Sequence, residues 1–257
     1  SRDHTEKMLS FMGADINSKA LNDGTNIIEL KGLPYLKGKH FNIPNDPSSA
    51  AFPSAAALII PDSEIKIKNV CLNALRTGFY ETIKDMGGFI KFINQKNISG
   101  EIVGDIQVKY SQLKGIVVPE KRVPSMIDEF PIFCIVACFA EGETVMTGIK
   151  DLRNKESDRI KEMVENLNKF GFDIKSTINS ISIIGNKKIN PGREIVIDSK
   201  FDHRIAMSFL CLGLFMVNGV KVKNAETINS SFPSFFNVMK SLGANLEKIK
   251  SIEWKLL

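Results

Sequence analysis

A dense mixture of charges marks residues 151–159, which read Asp-Leu-Arg-Asn-Lys-Glu-Ser-Asp-Arg. An apolar helical pattern follows at once over residues 160–167, so the charges stand at the start of a helix. Lys155, Glu156 and Arg159 could there face one small space, offering two cations to an anionic ligand and a carboxyl group for proton transfer. A charged helix start without any ligand would look the same, and the segment alone leaves both interpretations open.

Three other predicted helices carry polar side chains in the first turn and are almost wholly apolar afterwards, which predicts that they are buried. They cover residues 48–60, 127–139 and 202–216. Their polar starts contain Asp46, Ser48 and Ser49; Asp128 and Glu129; and Asp202, His203 and Arg204. Three such N-termini pointing the same way would form a shared anion site from backbone N–H groups and helix dipoles. Taken singly, Asp46 or Ser48 is more simply an N-cap.

These helices belong to a repeat with a period of roughly 75–85 residues. Each predicted unit opens with a short strand, at 41–44, 115–118 and 194–197. The apolar helix comes next, followed by an alternating strand at 64–70, 143–149 and 219–225. An amphipathic helix then stops at a glycine (Gly87, Gly171 and Gly243), with Gly13 repeating that stop near the start. Further strands follow at 89–93, 172–175 and 244–247. The pattern predicts an α+β fold of repeated βαβαββ units.

Composition narrows the classes of function. The 257 residues are 43% apolar and 25% charged, an ordinary globular balance, and no apolar run reaches the length of a membrane span. The net charge of +5, without a basic block carrying interleaved aromatics, argues against a nucleic-acid partner and suits small anionic substrates. No two Cys-x-x-Cys pairs occur, which argues against zinc. Cys134 and Cys138 stand four residues apart on an apolar helix and are predicted to be buried free thiols, and we favour a reducing, cytoplasmic setting. The cysteines are Cys71, Cys134, Cys138 and Cys211.

Seven short stretches, in order along nearly the whole chain, carry a resemblance to a known family. They are SRDHTEKML at 1–9, DPSSAAF at 46–52, RTG at 76–78, IDE at 127–129, KESDR at 155–159, DHRIAM at 202–207 and SFP at 231–233. The sequence resembles the 3-phosphoshikimate 1-carboxyvinyltransferases, the enolpyruvyl transferases that make 5-enolpyruvylshikimate 3-phosphate. These motifs are most similar to those of the bacterial branch of the family that is less sensitive to glyphosate.

The resemblance implies an enolpyruvyl transferase fold of two domains, each built from three βαβαββ units, with helix N-termini facing the cleft between them. The chain would correspond to roughly the C-terminal three-fifths of such an enzyme. Residues 1–42 would finish the N-terminal-side domain, and residues 43–257 would form the C-terminal-side domain of three repeats. We therefore expect a fragment that is inactive without the remaining N-terminal half, and a monomer at full length.

The family reaction transfers the enolpyruvyl group of phosphoenolpyruvate to the 5-hydroxyl of shikimate 3-phosphate by addition and elimination, without a metal or organic cofactor. The resemblance implies three catalytic residues. Asp128 would take the hydroxyl proton or orient the hydroxyl, and Glu156 would shuttle a proton at the methylene carbon. Lys155 would contact the hydroxyl and the leaving phosphate. As a local pattern, Asp128 is equally a carboxylate favoured by a helix dipole.

The resemblance also implies binding residues for both substrates. Arg159, Arg204 and His203 would hold phosphoenolpyruvate, although His203 is equally well read as a structural histidine. Shikimate 3-phosphate would contact Ser1, Arg2, Asp128 and Lys155. Two further residues are expected to be structural. Asp202 would cap its helix or brace Arg204, and Arg76, which lies in a turn, would have a bracing role.

Two alternatives remain open. The related enzyme that transfers enolpyruvate to UDP-N-acetylglucosamine shares the fold, but the wording at 155–159 and 202–207 favours the shikimate acceptor. A non-catalytic remnant that binds ligands weakly is the other. Phosphate release measured with each acceptor separates these possibilities.

Overall fold

The computed structural model describes residues 1–21, 25–249 and 253–256. Its α-helices are α1 (His4–Phe11), α2 (Pro47–Ile59), α3 (Gly78–Asp85), α4 (Phe130–Cys138), α5 (Arg159–Asn168), α6 (His203–Gly213) and α7 (Phe235–Ser241). Its strands are β1 (Ile16–Ala20), β2 (Asn26–Leu30), β3 (Glu64–Cys71), β4 (Phe89–Ile98), β5 (Glu101–Lys109), β6 (Glu143–Thr147), β7 (Asp173–Ser176), β8 (Ser180–Ile184), β9 (Ile195–Asp198), β10 (Val220–Lys223), β11 (Leu246–Ile249) and β12 (Glu253–Leu256). Short 3-10 helices cover Glu120–Ser125, Ile127–Glu129, Lys150–Asn154 and Ala225–Ser230.

The predicted repeat is confirmed by three sheets with one strand order. They run β3-β5-β4, β6-β8-β7 and β10-β12-β11, the last extended by β9 beside β10. In each, the strand after the apolar helix pairs antiparallel with the unit's last strand, which pairs antiparallel with the strand before it. The α+β fold class is therefore as expected.

The opening strands of the first two units are a correction. No strand forms over residues 41–44, and the segment makes only a parallel bridge between Asn45 and Val70. The second predicted strand, at 115–118, is likewise reduced to a parallel bridge of Val117 with Val145 beside another at Lys114. Pro44 and Pro119 flank these bridges, and proline cannot donate a ladder hydrogen bond. The third unit has no proline here and forms β9, parallel to β10.

The three apolar helices α2, α4 and α6 pack against one another in the core. Every residue of α4 is buried, including Cys134 and Cys138 as the sequence predicted, and Cys211 of α6 is buried as well. Burial raises the pKa of each of these thiols, which keeps them protonated. The predicted helix at 127–139 begins differently from expectation, because Ile127–Glu129 is a 3-10 turn and the α-helix starts only at Phe130.

The amphipathic helices α3, α5 and α7 stop where the sequence predicted. The φ angle is positive at Gly87, Gly171 and Gly243, and also at Gly13 after α1, so each glycine adopts the left-handed cap conformation. These stops let the chain reverse into the next strand of each unit.

The first 45 residues contain α1 and a hairpin in which β1 pairs antiparallel with β2. Helix α1 is joined to the first repeat by polar contacts, since His4 and Lys7 both contact Glu101 and Asp3 accepts a hydrogen bond from Asn73. Within the described residues, no helix is both long and apolar enough to cross a bilayer.

Candidate active site

The N-terminus of α2 is held by the residues that sequence reasoning assigned to it. Asp46 caps the helix by accepting hydrogen bonds from the backbone N–H of Ser48 at 3.2 Å and of Ser49 at 2.9 Å. Arg76 donates to Asp46 at 2.8 Å and to the Ser48 hydroxyl at 3.0 Å. The predicted cap and the predicted bracing role of Arg76 are both confirmed.

Asp202 caps α6 as predicted, but its charged partner differs from the one expected. Its carboxylate accepts from the backbone N–H of Arg204 at 2.9 Å, while the guanidinium that pairs with it is that of Arg159, with Nε at 2.9 Å from Oδ2. The side chain of Arg204 turns instead to the backbone carbonyl of Asp128, to which its Nη1 donates at 2.8 Å. Of the two predicted roles of Asp202, capping of α6 is thus confirmed, and the guanidinium that Asp202 braces is that of Arg159 instead of Arg204.

Arg159 lies at the start of α5 with only 1% of its side chain exposed, and it faces three carboxylates. Besides Asp202, its guanidinium contacts Glu156 at 2.6 Å and Asp128 at 4.0 Å. Asp202 is fully buried, so Arg159 and Asp202 form a buried ion pair within hydrogen-bond distance. Arg159 therefore fixes the position of Glu156 relative to Asp128.

Asp128 is the common point of this network. Its side chain is 29% exposed and lies 3.5 Å from Arg2, and its backbone carbonyl accepts from Arg204. The fold thus brings together five residues that the sequence indicated, from four separate segments of the chain: Arg2, Asp128, Glu156, Arg159 and Arg204. They combine cations and partly exposed carboxylates at helix starts, which suits binding of an anion beside a proton-transfer group.

The other predicted site residues are Lys155, His203 and Ser1. Lys155 is exposed directly after a 3-10 turn, and no ion pair or hydrogen bond of its side chain occurs among the described residues. His203 is partly buried, and both burial and the charge of Arg204 lower its pKa, so the ring is neutral at neutral pH. Ser1 is exposed and accepts a hydrogen bond from Arg2 through its carbonyl.

Glu129 is a residue to which sequence reasoning assigned no role. It is 2% exposed, and its Oε1 lies 3.9 Å from Arg204 without a hydrogen-bond partner. Burial raises the pKa of Glu129 despite the opposing effects of the Arg204 charge and a hydrogen bond from Ser48. In the sequence, the position of Glu129 beside Asp128 in a polar first turn was the signal that could have indicated a role. Glu129 links the starts of α2, α4 and α6.

Acid should weaken the fold through Asp202. Burial alone would raise the pKa of this carboxyl, but the hydrogen bond and charge of Arg159 hold it below the usual value of 3.8. A lowered folded-state pKa contributes stability above the unfolded value, and that contribution is lost as the pH falls through the folded value. We expect Asp202→Asn to show a shallower fall in the free energy of unfolding between about pH 5 and pH 2. Urea unfolding at a series of pH values measures this, and equal slopes for the two proteins would contradict it.

Comparisons with known proteins identify the family of the chain. The family model of EPSP synthase (3-phosphoshikimate 1-carboxyvinyltransferase) matches residues 1–239. A 3-phosphoshikimate 1-carboxyvinyltransferase from Persephonella marina is 46% identical over 246 residues, which are 95% of this chain and 56% of the relative. One from Rhizobium johnstonii is 44% identical over 252 residues, covering 97% of this chain and 56% of the relative.

Solved structures show the same fold. The EPSP synthase of Acinetobacter baumannii superposes with a TM-score of 0.88 at 40% identity, covering 95% of this chain and 55% of that one. The enolpyruvyl transferase NikO from Streptomyces tendae gives a TM-score of 0.64 at 13% identity over 91% of this chain and 51% of its own, a likeness of fold alone. The chain spans about half the length of the curated relatives it matches. By sequence and by fold, the chain belongs to the EPSP synthase family.

Proposed function

We propose that this chain forms part of an enzyme that transfers the enolpyruvyl group of phosphoenolpyruvate to the 5-hydroxyl of shikimate 3-phosphate. The observation that carries the proposal is the network around Asp128, in which Arg2, Arg159 and Arg204 meet partly exposed carboxylates at helix starts. Family membership supplies the substrates, since relatives at 44–46% identity bear the name of this activity. The four buried free thiols fit the reducing cytoplasm as the enzyme's location.

In the proposed addition step, Asp128 takes the proton of the 5-hydroxyl as the oxygen attacks the central carbon of phosphoenolpyruvate. Glu156 gives its proton to the methylene carbon, which becomes a methyl group in a tetrahedral adduct. Lys155 stabilises the oxygen as negative charge develops on it. Its freedom from ion pairs among the described residues supports this role, because its charge is available to a ligand.

In the elimination step the proton movements are reversed. Glu156 takes a proton back from the methyl group, the carbon–carbon double bond reforms, and phosphate leaves beside Lys155. Glu156 can reach the reacting carbon in both steps because its carboxylate is 48% exposed. The same carboxyl group can thus act first as acid and then as base.

The anionic groups of phosphoenolpyruvate would meet Arg204 and Arg159, with His203 as a neutral neighbour. Arg204 has 13% of its side chain exposed and is held by the Asp128 carbonyl, so its fork is pre-positioned. Arg159 is nearly buried, and a ligand carboxylate would share its guanidinium with Glu156. Binding would then loosen Glu156 for its proton transfer.

Shikimate 3-phosphate would be held by Asp128 and Lys155 at its hydroxyls and by Ser1 and Arg2 at its phosphate. Two backbone carbonyls, of Leu75 and Pro124, hold Arg2 at 2.7 and 3.0 Å, which places its charge beside Asp128. We further propose that residues 1–42 belong to the N-terminal-side domain of the whole enzyme and residues 43–257 to the other.

Transfer to UDP-N-acetylglucosamine is the second candidate. The likeness to the enolpyruvyl transferase NikO, at 13% identity, is one of fold and does not identify an acceptor. The matched family model and the named relatives favour shikimate 3-phosphate.

A chimera tests the proposal. This chain would replace the aligned part of the Persephonella marina relative, so that the protein has the full length of that enzyme. We expect release of inorganic phosphate from phosphoenolpyruvate with shikimate 3-phosphate and none above background with UDP-N-acetylglucosamine. Background release with both acceptors from a folded chimera would support the non-catalytic alternative, and release with the amino sugar alone would support the second candidate.

A further inference from the structure

A cluster of three metal-binding side chains lies outside the proposed active site. One ring nitrogen of His4, the sulfur of Cys71 and a carboxylate oxygen of Glu101 all lie within 4.8 Å of one another. Cys71 and Glu101 are buried, and His4 is partly buried. We propose that these three residues bind a single Zn²⁺ ion, with a water molecule as the fourth ligand.

The fold places the three ligands on one face of the first sheet. Cys71 ends β3 and pairs with Val103 of β5, and Glu101 opens β5 two residues before Val103. Because alternate residues of a strand point to the same face, Glu101 and Cys71 share that face. His4 is the first residue of α1, which lies against the same sheet.

His4 and Glu101 already meet inside the cluster. The Nδ1 atom of His4 lies 2.5 Å from Oε1 of Glu101. A bound ion would take these two atoms as ligands in place of their mutual contact, because Nε2 lies on the far side of the ring from Glu101. All three side chains also line one cavity of about 250 Å³, which gives an ion and its water room to enter.

The second carboxylate oxygen of Glu101 is already anchored. Its Oε2 accepts from Asn73 at 3.2 Å and from Lys7 at 3.3 Å, so within the cluster only His4 contacts Oε1, the oxygen that would bind the metal. Lys7 also forms an ion pair with Asp3 at 3.1 Å, and this carboxylate offsets the positive charge beside the cluster. These neighbours hold Glu101 in the way that metal ligands are usually oriented.

The donor set selects the class of metal. One sulfur, one imidazole nitrogen and one carboxylate oxygen suit Zn²⁺, whereas Mg²⁺ and Ca²⁺ require oxygen ligands. Three protein ligands and a water match the tetrahedral preference of zinc. On binding, Cys71 loses its thiol proton to solvent and the sulfur–metal bond forms, without any change of oxidation state.

The bound ion would join α1 to the first repeat. His4 comes two residues after Arg2, the residue that reaches Asp128 at 3.5 Å. Sequence spacing did not indicate the site, because its ligands stand 30 to 97 residues apart, as at His4 and Glu101. Motif rules for zinc rely on close pairs such as Cys-x-x-Cys, which this cluster lacks.

The test uses the whole 257-residue chain, freed of metal with a chelator and titrated with Co²⁺ alone as a spectroscopic probe. We expect one equivalent to produce sulfur-to-cobalt charge-transfer absorption, which Zn²⁺ abolishes and Mg²⁺ leaves unchanged. Cys71→Ser should remove the absorption, and His4→Gln or Glu101→Gln should weaken Co²⁺ binding at least about tenfold. His40→Gln, which changes an exposed histidine outside the cluster, should bind as the unmodified chain does.

A second readout needs no variant. In the natively folded chain, Zn²⁺ should slow alkylation of Cys71, located by peptide mass mapping, while labelling of Cys134, Cys138 and Cys211 is unchanged. Folding of each variant is checked by circular dichroism. The proposal is overturned if the folded chain gives no charge-transfer band with Co²⁺, if Cys71→Ser keeps the band, or if Zn²⁺ leaves the alkylation of Cys71 unaffected.

Discussion

Arg159→Met is expected to lower the free energy of unfolding by about 3–5 kcal/mol, the cost of leaving a buried charge without its partner. Arg159 is 1% exposed and its partner Asp202 is fully buried, so solvent cannot replace the lost guanidinium. Methionine has a similar length and fills most of the space, which separates the loss of charge from the loss of volume. Urea unfolding of the 257-residue chain measures the change.

Two further proteins make this experiment decisive. Arg122→Met removes a guanidinium paired with Asp85 at 2.5 Å, but there the carboxylate is 51% exposed, and we expect a loss below about 1 kcal/mol. Arg159→Met combined with Asp202→Asn should regain most of the stability, because asparagine still caps α6 and the fully buried unpaired charge is removed. If the single Arg159→Met variant were as stable as Arg122→Met, Arg159 and Asp202 would not form a buried ion pair.

Glu156→Gln is expected to reduce turnover of the chimeric enzyme by about 10²–10⁴-fold, with a much smaller change in KM for phosphoenolpyruvate. Glutamine keeps the shape of glutamate and an oxygen that can accept from Arg159 at the present 2.6 Å contact. It cannot give or take the proton at the methylene carbon. Steady-state phosphate release over a range of phosphoenolpyruvate concentrations measures both quantities.

Glu165→Gln is the matched control for this prediction. It lies on the same helix α5, 58% exposed and 3.8 Å from Lys161, so it removes an equal charge from a surface pair. Turnover of this variant should stay within about twofold of the parent chimera. If Glu156→Gln lowered turnover and affinity equally, Glu156 would be a binding group, and the proton-transfer role would be wrong.

Local patterns predicted most of the fold correctly. Period-two alternation located β3, β6 and β10, and glycine stops located the ends of α3, α5 and α7. These features are decided within a few residues, by side-chain burial on one face and by the backbone freedom of glycine. The opening strands at 41–44 and 115–118 failed because a strand needs ladder hydrogen bonds from a neighbour, and the prolines beside these segments remove donors.

The sequence indicated several residues of the candidate site, but it did not indicate how they contact one another. Helix periodicity and the short motifs that resemble the family indicated Asp128, Glu156 and Arg204. They did not show that Glu129 is buried with a raised pKa beside Arg204, because nothing in its immediate sequence distinguishes a buried carboxyl from an exposed one. The domain boundary at residue 42 and the individual substrate contacts stay predictions.

The sequence by itself determined the repeated unit, the burial of the three apolar helices, the caps at Asp46 and Asp202 and the family. Each of these features depends on residues close together in the chain or on short sequence motifs. Only the tertiary structure determined the ion-pair partners, since the carboxylate of Asp202 pairs with the guanidinium of Arg159, 43 residues away, and not with that of Arg204, two residues away. It also brought Arg2 to Asp128, 126 residues away, and His4 to Glu101. Such pairings follow from how three sheets and their helices pack, and no periodicity along the chain encodes them.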